Sequence, residues 1–295
     1  MPFTATAIRR PLTSYFVLAF AFSWAFWSVP ALGYRDGVGL AFFVLGGFGP
    51  LVAAVTMTRI LGGSVKDWFT GLLRWRVAPR WYLFAIGVPI ALAVLVTAEF
   101  AMLGKALDWS LLDNRLAALV PSLLLTAVFF GGNEEPGWRG FALPRLQERF
   151  SPVRSTLVLG LLWAPWHLPI LFATDDASHG LGSGGVLVLA ALTLLSIVGY
   201  AFAYTYLLNK TGSVLLSIVL HACFNVAMAS AGLRAEQALQ RWEYILVLGF
   251  SAATVWVGVA LLTMLTGGRL GREDTPSRRR TDEPARPAER ELAHA

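Results

Sequence analysis

Long apolar runs dominate this chain. About eight of them, at 12–32, 39–61, 81–103, 116–130, 153–172, 186–208, 214–231 and 244–265, alternate with short charged loops. Most approach the twenty or so residues that a helix needs to cross a hydrocarbon core of ~30 Å. The pattern predicts an all-α fold, a polytopic transmembrane bundle of about eight helices. Composition agrees, because only 14% of residues are charged, against about 25% in soluble domains. Eleven Trp suit anchoring at the level of the lipid headgroups.

The first run follows Arg9 and Arg10. It is long, aromatic-rich and without a small-x-small cleavage pattern, so it reads as a span and not a signal peptide. Gly46, Gly47 and Gly49 in the second run suit close helix contact. Lys and Arg gather in the N-terminus, in the loops at 59–80, 133–153 and 209–212, and in the tail. By the positive-inside rule that face is cytoplasmic, and an even number of spans makes both termini cytoplasmic. The membrane domain is expected over 1–266. Residues 267–295, rich in Arg, Glu, Pro and Ala, read as a disordered charged tail.

The net charge of +6 is scattered through loops and forms no basic stripe, which argues against a nucleic-acid partner. The lipid bilayer is the partner that composition implies, and a bacterial inner membrane the expected location. The single Cys223 excludes an intramolecular disulfide and reads as a small buried side chain.

Against this apolar background one polar stretch stands out, Gly131-Gly132-Asn133-Glu134-Glu135-Pro136-Gly137-Trp138-Arg139-Gly140. Segment 135–150 beyond the pair is either a short interfacial helix or an extension of the fourth span. Ionisable groups at membrane depth are costly and by default mark function. Two later runs each carry a histidine, His167 and His221. At ~1.5 Å per residue, His167 lies ~20 Å and His221 ~12 Å in from the face where the Glu pair arrives. Glu, His and His from three spans are thus expected in the same half of the bilayer.

Each feature also has a plainer reading. Asn133 could cap a helix, with the carboxylates near its positive end, and Glu135 and Arg139 could be an i,i+4 surface pair. His167 could be a satisfied core histidine, although Pro165 and Pro169 around it interrupt helical bonding. His221 and Asn225 share a helix face and could be interhelical glue. Gly180-x-Gly182-x-x-Gly185 matches a dinucleotide fingerprint only by letters, since no strand precedes it. Asp175, Asp176 and His179 read as a solvated loop.

Glu134-Glu135-x-x-x-Arg139, Trp163-x-x-x-His167 and His221-x-x-x-Asn225, in that order, resemble the three motifs of the CAAX-protease and bacteriocin-processing (CPBP) family, over roughly 115–232. This family of intramembrane endopeptidases includes the type II CAAX prenyl proteases. The longer strings at 134–144, 166–169 and 221–225 match its bacterial branch, with Trp163 where the family often has Phe. The resemblance implies peptide-bond hydrolysis in a cavity open to the cytoplasm, on a membrane-associated peptide or protein. Glu134 would activate water with His167, His221 and Asn225 would stabilise the oxyanion, and Glu135 and Arg139 would support them. The chemistry is consistent. Crowded carboxylates out of water make a better base, and Asn is a neutral donor suited to polarising a carbonyl. Two His and a carboxylate could also hold Zn2+, so a metal on His167 and His221 stays open. Two other readings remain: a catalytically silent immunity or scaffold protein, and a transporter with a polar pathway.

Overall fold

The computed structural model describes residues 2–34, 36–105, 111–173, 182–230 and 241–273. Among them every expected run is helical, in the order α1 (Pro2–Arg9), α2 (Pro11–Ala31), α3 (Gly37–Gly47), α4 (Gly49–Ile60), α5 (Val65–Leu72), α6 (Pro79–Met102) and α7 (Leu111–Phe129). A tight turn follows at Gly132–Glu134. Then come α8 (Glu135–Gly137), a widened π turn at Trp138–Ala142, α9 (Leu143–Gln147), α10 (Pro152–Trp166), α11 (Leu168–Ala173), α12 (Gly182–Thr211), α13 (Val214–Ser230) and α14 (Arg241–Leu265). Strands are absent among the described residues.

Among the described residues, by length and apolarity alone, five helical segments suffice to cross a membrane, and α3 with α4, bent by 42°, make a sixth. One of the five is the single segment Leu116–Gln147, so segment 135–147 extends the fourth span. Only 17 to 33% of each long span's window is buried inside the protein. The outward faces carry Leu83, Ile90, Val94, Val120 and Leu124, a surface that suits hydrocarbon and not water. The chain is a multi-pass membrane protein.

Local chemistry sets the breaks. Asp36 caps α3 through Oδ1, which accepts from Val38 N and Gly39 N at 3.0 and 3.1 Å. Ser151 caps α10, with Pro152 in its first turn. Pro169 lacks the N–H that would bond to residue 165, and its ring crowds that carbonyl. Accordingly α10 stops at Trp166 and α11 resumes at Leu168. The basic 59–80 loop contains α5, capped by Ser64 Oγ on Asp67 N at 3.2 Å.

Inside a bilayer, apolar burial gives little drive for helix association, so close packing and internal hydrogen bonds carry the cohesion. Indole N–H groups supply several of these. Trp24 donates to Trp166 O at 3.0 Å, Trp27 to Phe43 O at 2.8 Å and Trp68 to Gly140 O at 3.2 Å. Gly46 and Gly49 are contact points as expected: a Cβ on them would strike Trp27 and Ser23 of α2. Helix α2 packs on α3, α4 and α11, α12 on α10 and α14, and α13 on α6 and α7. One core, around Tyr15, Met57, Trp138, Phe141, Leu159, Trp166 and Leu216, joins α2, α4, α10 and α13, and a second cluster around Phe202, Val259 and Leu270 seats α14. Glu99 in α6 is also buried, accepting from Ser251 of α14 at 3.4 Å. Sequence reading did not single it out.

Residues 267–272, at the start of the expected tail, turn back onto the bundle. Leu270 is fully buried, and its carbonyl accepts from Asn209 Nδ2 at 2.9 Å. Residues 274–295 lie outside the described set, as do Asp175, Asp176 and His179.

Candidate active site

The polar stretch is buried in the bundle. Glu134 and Glu135 are 7% and 0% exposed, and Arg139 is 0% exposed. Two i,i+4 contacts organise it. Glu135 Oε1 accepts from Arg139 Nη1 at 3.0 Å, and Glu134 Oε2 accepts from Trp138 Nε1 at 3.3 Å. A surface ion pair is therefore ruled out. So is the capping role for Asn133, whose Oδ1 turns back to accept from Gly131 N at 2.9 Å.

The histidine spans close on this stretch from two sides. His221 Nδ1 donates to Glu135 Oε1 at 2.7 Å. One carboxylate oxygen thus receives both an imidazole and a guanidinium. Trp163 Nε1 donates to Glu134 Oε2 at 2.8 Å. Each Glu of the pair is consequently held by a different later span, Glu134 through α10 and Glu135 through α13.

His167 gets its orientation from the helix break. Its backbone N bonds to Ala164 O at 3.1 Å, three residues back, which frees the Trp163 carbonyl that a regular helix would use. The His167 ring takes that acceptor, with Nδ1 2.9 Å from Trp163 O. A carbonyl only accepts, so Nδ1 carries the proton and Nε2 of the neutral ring is left as an acceptor. The Pro165 and Pro169 pair therefore sets which nitrogen is available. Both imidazoles lie against Trp163, with centroids 5.7 Å (His167) and 5.9 Å (His221) from its ring.

Asn225 Nδ2 donates to Phe130 O at 2.7 Å, fixing the end of α7 to α13. Next in the chain, Gly131 has φ +137°, a conformation that side chains rarely adopt. A Cβ there would sit 2.5 Å from His221 Nε2 and 2.8 Å from Asn225 Nδ2. Glycine is needed twice over, for the turn and for backbone to approach the two polar side chains.

His167, His221 and Asn225 line one wall of a cavity of about 460 Å³ between α6, α10, α12, α13 and α14. Its remaining lining is largely apolar and aromatic, including Val96, Phe100, Phe224, Met228 and Val247. A few convergent polar groups in an apolar pocket of this size are what small-ligand and substrate sites usually present. Glu134 does not line this cavity. Trp163 does, and it is the residue whose indole binds Glu134.

All six residues singled out from sequence thus share one neighbourhood. Sequence reading missed three parts of it: Trp138 as a second donor to Glu134, the steric role of Gly131, and Tyr204 of α12. Trp138 was legible in principle, being four residues after Glu134. Tyr204 had no sequence signal, because only the packing of α12 brings it there.

A metal fits poorly. Among the described residues no three His, Cys, Asp or Glu are grouped to hold an ion, whereas catalytic zinc sites use three protein ligands. His167 and His221 each spend Nδ1 on a protein acceptor and keep Nε2 open, an arrangement common to metal-bound and metal-free histidines, so the ligand count alone weighs against an ion.

Residues 116–227 match the family model described as type II CAAX prenyl endopeptidase Rce1-like. A curated relative, CAAX prenyl protease 2 of Methanococcus maripaludis, is 30% identical over 105 residues, or 35% of this chain. The match spans 37% of that relative's length.

Proposed function

We propose, for a chain whose segment 116–227 is that of the CAAX-protease family, that it is an intramembrane endopeptidase using water activated by Glu134. The observation that carries this reading is convergence. Three motifs from separate spans meet as one cluster with Glu135 Oε1 and the Trp163 ring at its centre, beside an apolar cavity. A soluble-style surface role would not require burial of two carboxylates and an arginine.

In this mechanism Glu134 and His167 Nε2 share the proton of the attacking water. A buried carboxylate and an imidazole with a free acceptor nitrogen suit general-base work. The peptide carbonyl lies against Asn225, a neutral donor, and His221. When its ring carries both protons, His221 can donate from Nε2 while Nδ1 stays on Glu135. Arg139 balances the charge of Glu135 and keeps that carboxylate facing His221. The substrate is a membrane-associated peptide or protein, and the cavity opens towards the cytoplasmic face. Glutamate-activated water is favoured over zinc because, among the described residues, the donor set falls short of three ligands.

The test is cleavage of a panel of fluorogenic membrane-anchored peptides by purified protein in detergent. Wild type is compared with Glu134→Ala, each with and without a chelator. The expected result is cleavage by wild type, indifferent to chelator, and none by the variant. Equal cleavage by both would remove Glu134 from the mechanism. Loss on chelation with recovery on Zn2+ would put a metal on His167 and His221.

A further inference from the structure

We propose that Tyr204 is a positioning residue of this site, its ring closing an aromatic clamp on Arg139 that holds the Glu135–His221 hydrogen bond in place. The proposal rests on the protease reading above and adds a residue outside all three motifs.

Arg139 is unusual in what it lacks. Its guanidinium is fully buried, yet among the described residues it makes one side-chain hydrogen bond, from Nη1 to Glu135. Nε and Nη2 are buried without a hydrogen-bond partner. A guanidinium held at one nitrogen is free to pivot about that bond. Two ring faces prevent this. The Arg139 Cζ lies 4.2 Å from the Trp163 centroid and 4.1 Å from that of Tyr204. Away from water, a cation is drawn strongly to an aromatic face, and the planar guanidinium stacks well on one.

The two jaws are not equivalent. Trp163 is anchored independently by its hydrogen bond to Glu134. Tyr204 arrives on α12, is almost fully buried, and touches both ends of the chain of contacts that orients His221. One face meets Arg139, and the ring also lies edge-on to the His221 ring at 5.8 Å. Since Arg139 and His221 share Glu135 Oε1, a guanidinium that drifts takes the carboxylate with it. The imidazole then loses the acceptor that fixes its orientation. The working part of Tyr204 is its ring face, so Phe should replace it and Leu, apolar but without a π face, should not.

The experiment compares Tyr204→Leu and Tyr204→Phe by two readouts. The first is steady-state cleavage of the peptide panel. Tyr204→Leu should lower kcat about tenfold or more, equivalent to about 1.4 kcal/mol of barrier, with KM little changed. Tyr204→Phe should recover most of that loss. The second readout needs no substrate: the side-chain N–H resonance of His221 in protein labelled at its four histidines, assigned with a His221→Gln control. The signal of the Nδ1–H bound to Glu135 should persist in Tyr204→Phe and be lost in Tyr204→Leu. A raised KM with intact kcat would make Tyr204 a substrate contact, and an equal loss in Phe and Leu would assign the work to its hydroxyl. Either overturns the proposal, as does an unchanged His221 signal in Tyr204→Leu. Failure of the protease reading would appear separately, as wild type that cleaves nothing while the resonance still responds to Tyr204.

Discussion

Gly131→Ala should separate the cost of backbone strain from the cost of displacing the site. The residue has φ +137°, and holding an alanine in so sparsely populated a region costs on the order of 1–3 kcal/mol. The added methyl would also lie 2.5 Å from His221 Nε2 and 2.8 Å from Asn225 Nδ2, where ordinary contact begins at 3.4 Å. Both side chains must therefore give way by more than half an ångström. They have little room, because His221 Nδ1 is held by Glu135 and Asn225 by Phe130 O. A displacement approaching 1 Å at a catalytic group can cost on the order of a hundredfold in rate. Gly33→Ala is the control. Its φ is +101° but nothing lies within 4 Å of the new Cβ, so it carries strain without a collision. The assay pairs thermal unfolding in detergent, followed by Trp fluorescence, with the peptide cleavage rate. Both variants should lose stability, Gly131→Ala the more because the collision adds to the strain, and only Gly131→Ala should lose about two decades of kcat. Equal activity in the two variants would refute the claim that Gly131 exists to let His221 and Asn225 approach the backbone.

Two further outcomes follow from the buried charges and donors. Arg139→Met leaves Glu135 buried with only His221 as partner and should destabilise the protein by about 3–5 kcal/mol, while Glu135→Gln combined with Arg139→Met should restore much of that loss, measured by denaturation midpoints in one detergent. Asn225→Ala should lower kcat by about 10²–10³ with a smaller change in KM, as removal of an oxyanion donor does; a pure KM effect in single-turnover cleavage would instead make Asn225 a simple brace for Phe130 O.

Much of the architecture was legible because its signals are local. An apolar run needs no partner to be recognised, and the helix breaks follow from covalent chemistry, as with Pro165 and Pro169 around His167. The small helix at Val65–Leu72 was hidden among basic residues, although Ser64 with Asp67 three residues on is a start signal. Glu99 escaped notice because a single carboxylate in an apolar run says nothing about Ser251, 152 positions away. For the site, the motif residues were readable by type and spacing, but their pairing was not. Nothing in two adjacent Glu tells which one receives His221 and which the Trp163 indole. That choice depends on how a turn at Gly131 and the π turn at Trp138–Ala142 rotate the two side chains.

By itself the sequence determined a helical multi-pass chain, the breaks within it, and the set of Glu, His, Arg and Asn residues whose chemistry suits hydrolysis. Only the tertiary structure decided that His221 joins the Glu135–Arg139 pair, that Trp163 joins Trp138 on Glu134, and that Tyr204 completes the clamp. The physical reason is range. Helix formation and its interruption are set by residues within about one turn of each other, whereas these contacts join side chains up to 86 positions apart. They exist only once α10, α12 and α13 have packed around the buried pair.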